Sequence, residues 1–183
     1  AIKIINCQHI FKMDAIKIND EYFVNMAGLG FDAHIAHLFA NFGKRGLQSY
    51  VKLILKEYSK YQPEKYLLKV DGQMIDKQAF LISFANSSQF GNNAHIAPLA
   101  EINDGLIDIC VLKQFPKWRS IFIAFLLYSK GLLKSKYYEV SKAREIEIVN
   151  QKELKAHIDG DPILFNSNVK ISIIPESIHI LIP

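Results

Sequence analysis

The chain has 183 residues, half of them hydrophobic and 22% charged, and carries a formal net charge of +4. That length supports one substantial core, and a composition without low-complexity or Pro/Ser-rich tracts excludes a disordered chain. The mild positive charge suits an acidic ligand or an anionic membrane surface, whereas the lack of dense Lys/Arg with interleaved aromatics argues against nucleic acid.

The first seven residues are too short to stand alone and contain no initiator Met, which suggests a piece of something longer. IFKMDAIKI (10–18) and YFVNMAGLG (22–30) alternate around Asn19-Asp20, predicting two strands joined by a tight hairpin turn. FDAHIAHLFANF and LQSYVKLILKEYSKY carry apolar residues at helical spacing and are split by Gly43-Lys44-Arg45-Gly46, so two helices are predicted. Strands follow at KYLLKV, AFLISFAN and LIDICVL, with short connections that favour antiparallel pairing. WRSIFIAFLLYSKGLLKSKYY (118–138) is the third helical stretch, and EIEIV, LKAHID, VKISII and IHILIP are the last strands. The whole predicts one α+β domain, a mainly antiparallel β-sandwich or barrel with helices inserted near its start and middle.

Cys7 and Cys110 are the only cysteines, in no metal-like spacing, so neither a disulfide framework nor a zinc site is indicated and a reducing cytosol is the simplest home. No signal-peptide pattern is visible, and the apolar run Ile121–Tyr128 falls far short of the ~20 residues that span a bilayer. A soluble cytoplasmic protein that touches membranes is expected.

The Asp-Gly pairs at 71/72, 104/105 and 159/160 are first of all turn formers. A calcium loop at Asp104 lacks the further ligands and the closing Glu. Gly28-Leu-Gly30-Phe lacks the second Gly-x-Gly element and the Lys or Ser/Thr of a phosphate loop, so close backbone packing is the expectation there. His34 and His37 share a helical face but have no third ligand nearby in sequence, and His157 alternates with Ile158 as a structural strand residue would. IFIAFLLY is apolar around its whole circumference. It reads either as a buried core helix or as a lipid-facing one, with Phe122 and Phe125 toward the lipid and Lys117, Arg119, Lys130, Lys134 and Lys136 at its flanks.

Taken in order, FVNMAGLGFDA, SYVK, FANSSQFGNNAHIAPLAEINDGLIDICVL and HIDGDPI with a terminal IHILIP resemble the C-terminal domain of the bacterial diacylglycerol-kinase-like lipid kinases, relatives of the sphingosine and ceramide kinases. The resemblance covers nearly the whole chain and is most specific from Asn86 to Asp108. It implies a β-sandwich that supplies the lipid side of a cleft, beside an N-terminal ATP-binding domain bearing a Gly-Gly-Asp-Gly-Thr loop that this sequence lacks. The chain by itself would then be inactive, and the complete kinase would work in the cytoplasm, peripheral to the inner membrane, with a homodimer left open.

Carried over by position, the resemblance places the proton acceptor at Asp161, where the family has the Glu of an Asp-Gly-Glu motif. The shorter side chain retracts the carboxylate by about 1.5 Å. The same resemblance places magnesium-associated positions at Glu101, Asp104 and Leu106, the last through its backbone carbonyl, and makes Lys52 part of a charged network with Asp104. Phosphoryl transfer needs in-line positioning, charge compensation and a carboxylate to take the nucleophile's proton. ATP and Mg2+ are therefore the implied cofactors and a lipid alcohol such as diacylglycerol the implied acceptor. A lipid-binding module that has lost catalysis, or a kinase of a soluble acceptor such as a nicotinamide dinucleotide, are the alternatives.

Overall fold

Two six-stranded antiparallel sheets pack face to face in the computed structural model, which describes residues 9–43, 46–149 and 152–182. Sheet A runs in spatial order through β2 (Glu21–Phe23), β1 (Ile10–Ile18), β14 (Val169–Leu181), β11 (Glu145–Val149), β4 (Glu64–Val70) and β5 (Gln73–Ala79). Sheet B runs through β10 (Tyr138–Ala143), β9 (Ile107–Leu112), β6 (Leu81–Ala85), β3 (Met26–Gly30), β12 (Leu154–Ile158) and β13 (Asp161–Phe165). A small hairpin, β7 (Gln89–Gly91) with β8 (Ala94–His95), stands apart from both. The architecture is the α+β sandwich with inserted helices that the sequence predicts.

Strand alternation sorts the side chains into two cores. Ile16, Leu68, Ile146 and Ile171 of sheet A meet Leu29, Ile82, Phe84 and Ile109 of sheet B between the sheets. The other face of sheet B is covered by α1 (Phe31–Ala40), α2 (Leu47–Tyr58) and α3 (Ser120–Tyr128), where Phe31, Ile35, Leu53, Ile123 and Leu126 pack on Met26, Leu81, Cys110 and Leu112. With apolar layers on both sides, β3, β6 and β9 are buried along their full length. That is why they read in the sequence as nearly continuous apolar runs.

Several local expectations change. The predicted strand 22–30 is two strands: Glu21–Phe23 pairs with β1, and after Val24-Asn25 the chain crosses to sheet B as β3. VKISII and the start of IHILIP, as far as Leu181, fall in one 13-residue strand, β14, which pairs with β1 on both sides of an irregularity opposite Asp14. Only Ser120–Tyr128 of the long third helical stretch is α-helix, flanked by 3-10 turns at Lys117–Arg119 and Leu132–Lys134. β5, β10 and β13 carry too many polar residues to stand out as apolar strands, because β5, β10 and β13 are sheet edges with one or both faces in water. Close packing at the Gly-Leu-Gly segment is as expected: a Cβ on Gly30, at φ +95°, would stand 2.6 Å from the Phe80 carbonyl oxygen. Cys110 is buried as a free thiol, pushed by burial up to about 12, and Cys7 lies outside the described residues.

Candidate functional site

The turn between β12 and β13 separates two acids with different surroundings. Ile158 pairs with Asp161 across a two-residue turn in which Asp159 and Gly160 both take positive φ, 48° and 95°. This is the hairpin turn that Asp-Gly favours. Asp159 turns its carboxylate back to accept the N–H groups of Val24, Asn25 and Met26 at 3.1, 3.1 and 2.9 Å. It thereby holds the crossover from sheet A to sheet B. Asp161, the first residue of β13, is exposed, and its carboxylate has no hydrogen-bond or ion-pair partner among the described residues.

Beside this turn, register places His157, Gly28 and Ser83 in one row across β12, β3 and β6 on the helix-covered face of sheet B. Gly28 leaves a gap in the row, and Asp32 from the first turn of α1 fills it. Its Oδ2 lies 3.1 Å from His157 Nε2 and accepts the Ser83 hydroxyl at 3.4 Å. Burial disfavours an imidazolium at position 157, but the Asp32 carboxylate outweighs it and holds the His157 pKa above its ordinary value. His37 fixes α1 over the same strands, its Nε2 lying 3.1 Å from the carbonyl oxygens of both Ala156 and Ile163.

Asp32, His157 and the Asp159-Gly160-Asp161 turn line a cleft of about 430 Å³. Asp32, His157, Asp159 and Asp161 form its polar side, with Asn25 at the crossover. Met26, Ala36, Phe39, Tyr50 and Phe90 form an apolar wall, completed by Pro162. Polar groups converging beside an apolar wall are what an amphiphilic ligand requires.

Asp104 belongs to a second cluster. Buried Asp14 accepts the N–H groups of Gly105 at 2.7 Å and Glu176 at 2.8 Å, and its own N–H donates to Ile102 O at 2.7 Å, so it anchors the 102–105 loop onto sheet A. Asp104 Oδ1 accepts the Leu106 N–H at 3.0 Å, and Oδ2 lies 2.5 Å from Lys142 Nζ. Lys142 also stands 3.1 Å from Asp108, its cross-strand neighbour. Burial raises the Asp108 pKa despite that ammonium. The Lys142 ammonium resists its own desolvation through its two carboxylates, and its pKa is raised. The cation on Asp104 is therefore Lys142, a correction to the expected network with Lys52, which is exposed on α2 with no ion pair among the described residues. Neither Asp104 oxygen is free of a donor, Glu101 is exposed, and among the described residues no group of three His, Cys, Asp or Glu side chains is placed to hold a metal ion. At the expected magnesium positions Glu101, Asp104 and Leu106, the Asp104 carboxylate is thus taken up by the Lys142 ammonium and the Leu106 N–H.

The structure thus places Asp161 in a cleft and the Asp104 loop, Phe122 and Phe125 outside its lining. Asn86 links the first two regions: its buried amide donates to Asp14 O at 2.9 Å and Val24 O at 3.0 Å, and Val24 is held by Asp159. Ser87 donates its hydroxyl to Asn25 Oδ1. The segment from Asn86 that carries the strongest family resemblance is a brace between the turn and the Asp104 loop. Asp32, Asp14 and Lys142 were not singled out by sequence reasoning, and Asn86 was named only as the start of the most family-like run. Only Asp32 had a local signal, a carboxylate following Gly28-Leu-Gly-Phe at the start of a predicted helix.

A family model described as YegS C-terminal NAD kinase beta sandwich-like domain matches residues 25–182. The protein of Chromohalobacter salexigens named Probable lipid kinase YegS-like is 25% identical over 174 residues, covering 94% of this chain and 56% of that protein. The Diacylglycerol kinase of Bacillus subtilis is 20% identical over 151 residues, covering 81% of this chain and 50% of that protein. A crystal structure of a diacylglycerol kinase from Bacillus anthracis str. Sterne shares the fold, with a TM-score of 0.65 at 18% identity over 98% of this chain and 56% of that one. The chain spans about half the length of the curated relatives it matches.

Proposed function

Because this chain belongs to the family of YegS C-terminal NAD kinase beta sandwich-like domains, and its relatives carry lipid kinase names, we propose that it forms the lipid-binding and proton-accepting half of an ATP-dependent lipid kinase. The observation that carries the reading is the contrast between the two acids of one turn. Asp159 is saturated by three backbone N–H groups, whereas Asp161 faces the apolar-walled cleft without a partner. In the proposed reaction the acceptor hydroxyl oxygen attacks the γ-phosphorus of ATP, the bond to the β-phosphate bridging oxygen breaks to release ADP, and Asp161 takes the hydroxyl proton. A carboxylate whose oxygens are taken up by three backbone N–H groups is not placed to meet an acceptor hydroxyl, whereas one open to the cleft is.

His157 and Asp32 line the same cleft and suit a positioning role, holding a hydroxyl of the acceptor headgroup while Met26, Phe39, Tyr50 and Phe90 accept the first part of its acyl chain. The nucleotide belongs mainly to an N-terminal ATP-binding domain in this reading. The soluble-acceptor alternative draws on the NAD kinase likeness in the family's description, and the apolar wall weighs against it.

The test is ATP-dependent phosphorylation by the full-length protein, supplied with MgATP and a panel of diacylglycerol, other lipid alcohols and NAD. Wild type is expected to phosphorylate a lipid, Asp161→Asn to lose about 10²–10⁴-fold in rate, and Asp161→Glu to remain active. Phosphorylation of NAD with no lipid turnover sinks the lipid reading. No turnover by wild type with recovery in Asp161→Glu makes the domain a binding module.

A further inference from the structure

Residues 114–138 contain Lys117, Arg119, Lys130, Lys134 and Lys136 and not one Asp or Glu. Within this segment α3 is apolar on two opposite faces. Ile123 and Leu126 point into the core, 3% and 6% exposed. On the other face Trp118, Ile121, Phe122, Phe125 and Tyr128 follow helical spacing as an outward stripe, and Ile121 is 83% and Phe125 64% exposed. The core accounts for the first face only. The second exposes large apolar side chains at a cost that a soluble surface ordinarily avoids.

From this stripe and the cationic segments at its ends we infer that α3 is a membrane-docking helix, lying in the plane of an anionic bilayer surface. The occupant follows from charge and shape. Trp118 and Tyr128 cap the stripe at its two ends, as side chains with an apolar body and a polar tip do at a lipid interface. Arg119 stacks against Trp118 at 4.6 Å, and exposed Lys130, Lys134 and Lys136 follow the helix C-terminus, where they meet anionic headgroups while the stripe enters the acyl boundary. No helix among the described residues is long and apolar enough to cross a membrane, so the contact is interfacial. Sheet B lies between α3 and sheet A, so the stripe faces away from the sandwich.

The inference goes beyond the kinase reading and is tested without nucleotide or turnover. The 183-residue chain has a single tryptophan, Trp118, in the proposed contact, so its emission reports insertion directly. The chain is sedimented with vesicles of phosphatidylcholine alone and of phosphatidylcholine mixed with phosphatidylglycerol, while Trp118 emission is recorded. Expected are binding to the mixed vesicles with a blue shift, and weak binding to phosphatidylcholine alone. Ile121→Ser/Phe125→Ser should bind roughly tenfold more weakly or worse, and Lys130→Gln/Lys134→Gln roughly fivefold more weakly for each lysine removed. All four side chains are exposed, and circular dichroism checks that the variants stay folded. Equal binding by wild type and both variants, or binding without a Trp118 shift, overturns the inference. So does a wild-type dimer that the Ile121→Ser/Phe125→Ser change converts to monomer, since a second copy then covers the stripe.

Discussion

His157 and Asp32 meet over Gly28: Nε2 lies 3.1 Å from Oδ2, and a methyl group on residue 28 would stand 2.3 Å from the carboxylate oxygen and 2.4 Å from the ring nitrogen. The pair exists because residue 28 has no side chain. Gly28→Ala is expected to push Asp32 or His157 out of the cleft and destabilise the domain by about 1–3 kcal/mol. Thermal unfolding measures the loss, and the imidazole NMR resonances of His157 report the displacement. An Ala variant with wild-type stability and an unmoved His157 would remove glycine's role here.

The same pair makes stability depend on pH in a definite direction. Asp32 raises the His157 pKa in the folded state above the ordinary 6.5. The folded protein then binds the proton more tightly than the unfolded chain does. The pair's contribution is fully present below about pH 6.5 and is lost as the pH rises through the elevated folded value. Urea unfolding of wild type and His157→Gln across this range should show a stability difference that shrinks with rising pH. A difference that is flat or grows would mean that His157 is not held protonated by Asp32.

The Asp-Gly-Asp turn separates architecture from chemistry in a single measurement. Asp159→Ala removes the acceptor for three backbone N–H groups and leaves a non-glycine residue at φ 48°. A loss of about 1.5–3 kcal/mol is expected, since hydrogen bonds to a charged group are being given up. Asp161→Asn, on an exposed side chain, should stay within about 0.5 kcal/mol of wild type while slowing the proposed transfer by about 10²–10⁴-fold. The two unfolding free energies, measured side by side, decide which acid is the turn's anchor; a destabilised Asp161→Asn and a stable Asp159→Ala would reverse the roles.

How far the sequence disclosed this arrangement varied with how local each feature is. Asp71-Gly72 and Asp159-Gly160 were legible as hairpin turns because their conformation depends on two adjacent residues, and both pairs take positive φ. Central strands such as Leu81–Ala85 were legible because burial on both faces demands apolar runs. The sheet switch at Val24-Asn25 was hidden, since it is fixed by a carboxylate 135 positions away from Val24. The role of Asn86 was hidden for the same reason: it satisfies carbonyls at 14 and 24, which only the fold brings together. The two faces of α3 were read as a choice between core and lipid, whereas the helix presents Ile123 to one side and Ile121 to the other.

Lys142, not Lys52, should be the lysine whose loss is felt. Lys142 Nζ stands between Asp104 and the buried Asp108, 2.5 and 3.1 Å from their oxygens, whereas Lys52 is exposed on α2. Lys142→Met would leave the two carboxylates repelling each other at the edge of sheet B. Breaking a fully buried pair costs about 3–5 kcal/mol, but the Lys142 side chain is 32% exposed and water screens part of the effect, so about 1–3 kcal/mol is expected. Burial and Asp104 both raise the Asp108 pKa, and without the ammonium they act unopposed by it. The folded variant therefore takes up a proton at Asp108 more readily than the unfolded chain, and its stability should recover as the pH falls through that raised pKa. Asp108→Asn in the Lys142→Met background should restore stability at neutral pH, and Lys52→Met should change it by no more than about 0.5 kcal/mol. Chemical unfolding of these variants at two pH values tests the assignment, and an effect of Lys52→Met equal to that of Lys142→Met would return Lys52 to the network.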